Sequence, residues 1–65
     1  MDLYDFFIND DRYRAPTFTV EVAMNAEAAR RRAMMLLARS PHHVTVEVYA
    51  RGAPLFTISR QQTSG

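Results

Sequence analysis

Residues 25–39 read NAEAARRRAMMLLAR, and this is the only stretch of the chain with helical period. Ala26, Ala29, Ala33, Leu36 and Leu37 fall on one stripe of a helical wheel. Small side chains dominate that stripe, so the helix can sit close to whatever it covers. Asn25 is a suitable N-cap, because its side-chain oxygen can accept an amide hydrogen of the first turn. Glu27 follows in that turn, where the helix dipole favours negative charge and where Arg30 and Arg31 lie three and four residues ahead. Arg39 complements the dipole at the other end, and Pro41 disfavours α geometry at Ser40, which ends the helix. The opposite side of the wheel carries Ala28, Arg31, Arg32, Met35, Ala38 and Arg39, with Met34 on the flank.

The segments around this helix read as strands. Leu3 to Ile8 (LYDFFI) is rich in aromatic residues, with Tyr4, Phe6 and Ile8 pointing one way and Leu3, Asp5 and Phe7 the other. Asn9-Asp10-Asp11 is turn chemistry, and Pro16 cannot donate to a central ladder, so RYRAP is a loop or an irregular edge. Thr17 to Ala23 (TFTVEVA) alternates cleanly; Phe18, Val20 and Val22 are expected to face the core and Thr17, Thr19 and Glu21 solvent. Val44 to Ala50 (VTVEVYA) repeats the pattern, with Val44, Val46 and Val48 inward and Thr45, Glu47 and Tyr49 outward. Pro54 to Arg60 closes the sheet with Phe56 and Ile58 inward.

Parity selects a hairpin between the last two strands. A two-residue turn at Arg51-Gly52 sets Val48 opposite Leu55 and turns Phe56 and Ile58 away from the core. A three-residue loop of Ala50, Arg51 and Gly52 sets Val46 opposite Phe56 and Val44 opposite Ile58, with glycine at the left-handed position such loops require. The longer loop is the expectation. The fold expected is therefore α+β: a single small ββαββ domain over residues 1–60, with a four-stranded antiparallel-rich sheet and one helix packed on one face. Residues 61–65 are expected to be a frayed polar tail.

The 65 residues hold no cysteine, so neither a disulfide nor a thiolate metal site can help so small a core. At 48% apolar and 23% charged the composition is that of a globular chain. No apolar run approaches the ~20 residues of a membrane span and MDLYDFF lacks the basic region of a signal peptide, so a cytoplasmic location without membrane association is expected. A net charge of +1 hides an uneven distribution: Asp2, Asp5, Asp10 and Asp11 make one end acidic, while the helix carries four of the eight arginines. Every basic residue is arginine. That is consistent with a GC-rich coding sequence or with selection for bidentate and stacking contacts.

Chemistry-bearing patterns are few. His42 and His43 are adjacent, and in extended chain they point apart, which makes them poor ligands for one ion. Ser40 and His42 have no acidic residue near them in sequence to orient a base, and no glycine-rich turn is present for an oxyanion hole or a phosphate loop. No enzyme activity, metal or cofactor is expected. The leading expectation is a protein-binding module. One helix covers one side of the sheet, leaving Leu3, Phe7, Tyr49 and Leu55 on the other, an apolar patch that suits a partner or a homodimer. The Arg31, Met35 and Arg39 face of the helix is a second candidate, since arginine and methionine are enriched at interfaces. Nucleic-acid binding through the arginine-rich helix, with Arg12, Tyr13 and Arg14 adding phosphate contact and stacking, is the alternative.

At LYDFFIND, EAARRRAMMLLA and VTVEVYARGAPLFTIS the chain resembles a group of short uncharacterised bacterial ββαββ proteins. Those open on a Y-x-F-F-type strand and close on a hairpin. Where they carry a glycine and an acidic segment before the helix, this sequence has RYRAPTFTVEVA, and the resemblance implies no chemistry. By type, a small cysteine-free single domain without a catalytic site is similar to phage-encoded inhibitors such as anti-CRISPR proteins. That likeness implies steric occlusion of a host protein or nucleoprotein complex, with Asp2, Asp5, Asp10 and Asp11 as a local mimic of phosphates.

Overall fold

A computed structural model describes residues 1–60 of the chain; the expected tail at 61–65 lies outside the described residues. Four strands, β1 (Asp2–Asp10), β2 (Thr17–Ala23), β3 (His43–Ala50) and β4 (Ala53–Ser59), and one helix, α1 (Ala26–Ala38), follow in the order β1-β2-α1-β3-β4. The strands form one sheet in the order β2-β1-β3-β4, and every neighbouring pair is antiparallel. The helix carries the chain from β2 to β3 across β1, so it lies over the two central strands and touches β3 most.

The core follows from that crossing. Tyr4, Phe6 and Ile8 of β1 and Val46 and Val48 of β3 meet Ala29, Ala33 and Leu36 of α1, and all eight are buried. Phe56, Ile58 and Leu37 pack against this cluster half-buried. Ala26, the first helical residue, is exposed despite its place on the expected stripe. Val44, expected inward, is also exposed.

Both helix ends have identifiable partners. The Ala28 amide donates to Asn25 Oδ1 at 2.8 Å, as the sequence suggests. At the C-terminus Arg39 only donates its backbone N–H to the Leu36 carbonyl. The cation there is Arg60, whose guanidinium donates to the carbonyls of Leu37 (3.0 Å), Ser40 (2.6 Å) and His43 (3.1 Å). A carbonyl only accepts, so the 2.7 Å contact from His43 Nδ1 to the Leu36 carbonyl fixes the proton on that nitrogen.

The β3–β4 hairpin departs from expectation. Ala50 pairs with Ala53, so the turn is the two-residue Arg51-Gly52, with both residues at positive φ (54° and 79°) as a primed hairpin turn demands. Parity is restored by a bulge: Tyr49 pairs with Pro54 but Val48 pairs with Phe56, leaving Leu55 as the extra residue. Phe56 and Ile58 thus face the core opposite Val48 and Val46, two residues from the expected register. A Cβ added at Gly52 meets no atom within 4 Å. Gly52→Ala is therefore expected to cost only backbone strain, about 1–2 kcal/mol, read as a lower urea midpoint with an unchanged m-value.

Candidate functional site

The largest departure from expectation lies in β2. Phe18 pairs with Phe7, Val20 with Asp5 and Val22 with Leu3, so all three apolar residues stand on the face away from the helix. They are 53%, 46% and 58% exposed. Thr19 and Glu21, expected outward, lie on the helix side, and Arg32 reaches down to Glu21 with its fork (2.6 and 3.1 Å). Geometry gives the reason. A helix about 10–12 Å across spans two strands spaced ~4.8 Å apart, not four. It covers β1 and β3, so edge strand β2 gains more by matching its apolar side to Leu3 and Phe7.

The open face therefore carries more than Leu3, Phe7 and Tyr49. An aromatic row crosses three strands: Phe18 and Phe7 have ring centroids 4.8 Å apart, and Phe7 and Tyr49 meet edge-on at 5.3 Å. Leu3, Val20 and Val22 extend the row toward the first residues of β1, where Met1, Asp2, Leu3, Asp5, Val22 and Arg51 line an open depression. The other end is polar. Asn9 donates to Thr45 Oγ1 (2.7 Å) and to Glu47 Oε2 (2.9 Å), and the Tyr49 hydroxyl donates to Glu47 Oε1 (3.4 Å). Leu55, expected on this face, sits on the bulge, and Pro54 is the residue opposite Tyr49. Phe18, Val20 and Val22 are the site residues that alternation alone misassigns. The signal for them was in β1, both of whose faces are apolar.

The expected acidic patch does not form. Asp2 lies at one end of β1, bridged to Arg51 (3.2 Å), and Asp10 at the other, about 26 Å away along the strand. Of these four aspartates, only Asp5 stands on the open face without an ion pair among the described residues. Asp10 is buried and anchors the β1–β2 connection: its carboxylate accepts from the Arg12 amide (2.8 Å) and from both arms of the Arg12 guanidinium (3.0 and 2.7 Å). Those guanidinium bonds chiefly, with the amide, hold the Asp10 carboxyl well below the usual carboxylate range, against the opposing effect of burial. A carboxyl with a depressed folded-state pKa stabilises fully above its unfolded value of about 3.9 and loses that contribution as pH falls below it. The wild-type urea midpoint should accordingly drop between pH 4 and pH 2. Asp10→Asn should be less stable at pH 7, flatter over that range, and converge with wild type in acid.

The histidines also find partners the sequence did not suggest. His42 Nδ1 lies 3.0 Å from Asp11 Oδ1, and His43 Nε2 lies 3.7 Å from Asp10 Oδ2. Ser40 Oγ accepts from the backbone N–H of His42 (3.1 Å) rather than meeting the ring, so Ser40, His42 and Asp11 are not aligned as nucleophile, base and orienting acid. No group of three or more ligating side chains that could hold a metal ion occurs among the described residues. No helix among them is long and apolar enough to cross a membrane.

On the helix, Arg31 and Met35 are exposed as expected, with Arg31 3.5 Å from Glu27, and Arg39 lies just past the last turn. Most arginines are engaged: Arg12, Arg32 and Arg51 with carboxylates, Arg60 with carbonyls, and Arg30 over the Phe56 ring at 4.6 Å. Comparison of the chain with protein families, with curated proteins and with solved structures finds no match.

Proposed function

We propose that this chain is a non-enzymatic protein-binding module that acts by steric occlusion of a protein or nucleoprotein complex, as the small phage-encoded inhibitors it resembles in type do. The observation that carries the reading is the open sheet face, where the Phe18–Phe7–Tyr49 row and Leu3, Val20 and Val22 lie together with no element of the described residues over them. Contiguous exposed apolar surface with aromatic residues at its centre marks binding sites. The arginine-rich helix supports the alternative of nucleic-acid binding less well, because Arg30 and Arg32 are engaged within the chain, which leaves Arg31 and Arg39 as its exposed guanidinium groups.

The test is an affinity pull-down from bacterial lysate, with and without nuclease, read by mass spectrometry. Wild type should retain a defined protein or nucleoprotein complex after nuclease treatment. Phe18→Lys and Tyr49→Lys should lose it, while Arg31→Ala/Arg39→Ala should keep it. Each face substitution removes one cross-strand aromatic contact, so stability should fall by no more than about 1 kcal/mol. Bait recovered only with nucleic acid, at an affinity falling steeply with salt, would move the reading to the arginine face.

A further inference from the structure

We infer that the partner of the open face presents an arginine or lysine set among apolar side chains, seated on the carboxylates of Asp5 and Glu47. The inference rests on the open face being the binding surface proposed above. Asp2, Asp10, Asp11, Glu21 and Glu27 each meet an arginine or a histidine. Among the described residues Asp5 and Glu47 meet no cation, and both stand on the open face.

Their surroundings differ in a useful way. Asp5 lies between Val20 and Tyr49 across the ladders, with Leu3 and Phe7 two positions away on its own strand, so its near neighbours on the face are apolar or aromatic. Glu47 lies opposite Phe7 and is held by the neutral donors Asn9 and Tyr49, which orient it without cancelling its charge. A partner that covers the aromatic row must cover these carboxylates too. A charge removed from water is costly unless it is paired; Arg51, the arginine that lines the depression with Asp5, is bridged to Asp2, and among the described residues no other arginine lines it. The cation therefore comes from the partner. Arginine suits both features, since its fork matches a carboxylate and its plane stacks on Tyr49 or Phe7. A second copy placed face to face would add two more carboxylates to the interface, and phosphates carry the same sign.

The test uses a random peptide library displayed on phage and selected on the immobilised wild-type protein. Selected peptides should carry a basic residue flanked by apolar ones. They should bind Asp5→Asn/Glu47→Gln at least about tenfold more weakly. Asp11→Asn/Glu27→Gln, which removes the same charge elsewhere, should bind as wild type does. Peptides without a basic residue, or with equal affinity for Asp5→Asn/Glu47→Gln, would overturn the inference. If Phe18→Lys abolishes binding of those same peptides, the face itself stands as the binding surface; if it does not, that reading fails as well. A library yielding no binder overturns the inference, and a concentration-dependent dimer dispersed by Phe18→Lys would assign the face to a second copy.

Discussion

Phe6→Ala is expected to leave the domain unfolded at 25 °C. Phe6 is fully buried at the middle of β1, between the helix and the two neighbouring strands, and is among the largest wholly enclosed side chains. Truncating a buried phenylalanine costs about 3–5 kcal/mol. A single core in a chain below about 70–80 residues rarely supplies more than about 3–5 kcal/mol in total. The mutation therefore removes most or all of the stability. Circular dichroism and urea titration should show no cooperative transition, whereas Phe7→Ala, one residue on but facing outward, should retain one. A folded Phe6→Ala with a midpoint near that of wild type would mean that the core lies elsewhere.

Ala33→Leu is expected to have the second-largest effect. Ala29 and Ala33 are wholly buried, and their small side chains let α1 lie close over β1 and β3. Leucine at 33 must push the helix off the sheet or force neighbours from their rotamers, at a cost of about 1–3 kcal/mol. Leucine is a good helix former, so a loss of stability here reports the close packing and not helix propensity. The exposed Ala38→Leu serves as the control and should change the urea midpoint little.

Much of this architecture is legible in the sequence. The Asn25 cap, the Ala29/Ala33/Leu36 stripe and the alternation of TFTVEVA and VTVEVYA are local signals, and each yields the element it predicts. The open-face positions of Leu3, Phe7 and Tyr49 follow from alternation and the presence of a single helix. Alternation does not say which side of an edge strand meets the core. In β2 either face can match β1, because Tyr4, Phe6 and Ile8 are as apolar as Leu3 and Phe7. Strand parity selects a turn length only in a regular ladder, and a bulge at Leu55 makes the shorter turn compatible with the same core. The charge pairings were hidden for a simpler reason: Arg32–Glu21, His43–Asp10 and Arg60 with the Leu37 carbonyl join residues distant in sequence.

By itself, then, the sequence determined the elements, their order and the apolar side of each, since these depend on residues within a turn or a strand of one another. The tertiary structure decided the strand order β2-β1-β3-β4, the side of the sheet that β2 serves, and which carboxylates are left without a cation. Those outcomes depend on how wide a strip one short helix can cover. Because it covers two strands of four, the apolar side of β2 joins Phe7 and Tyr49 on the open face, and that is where the candidate site lies.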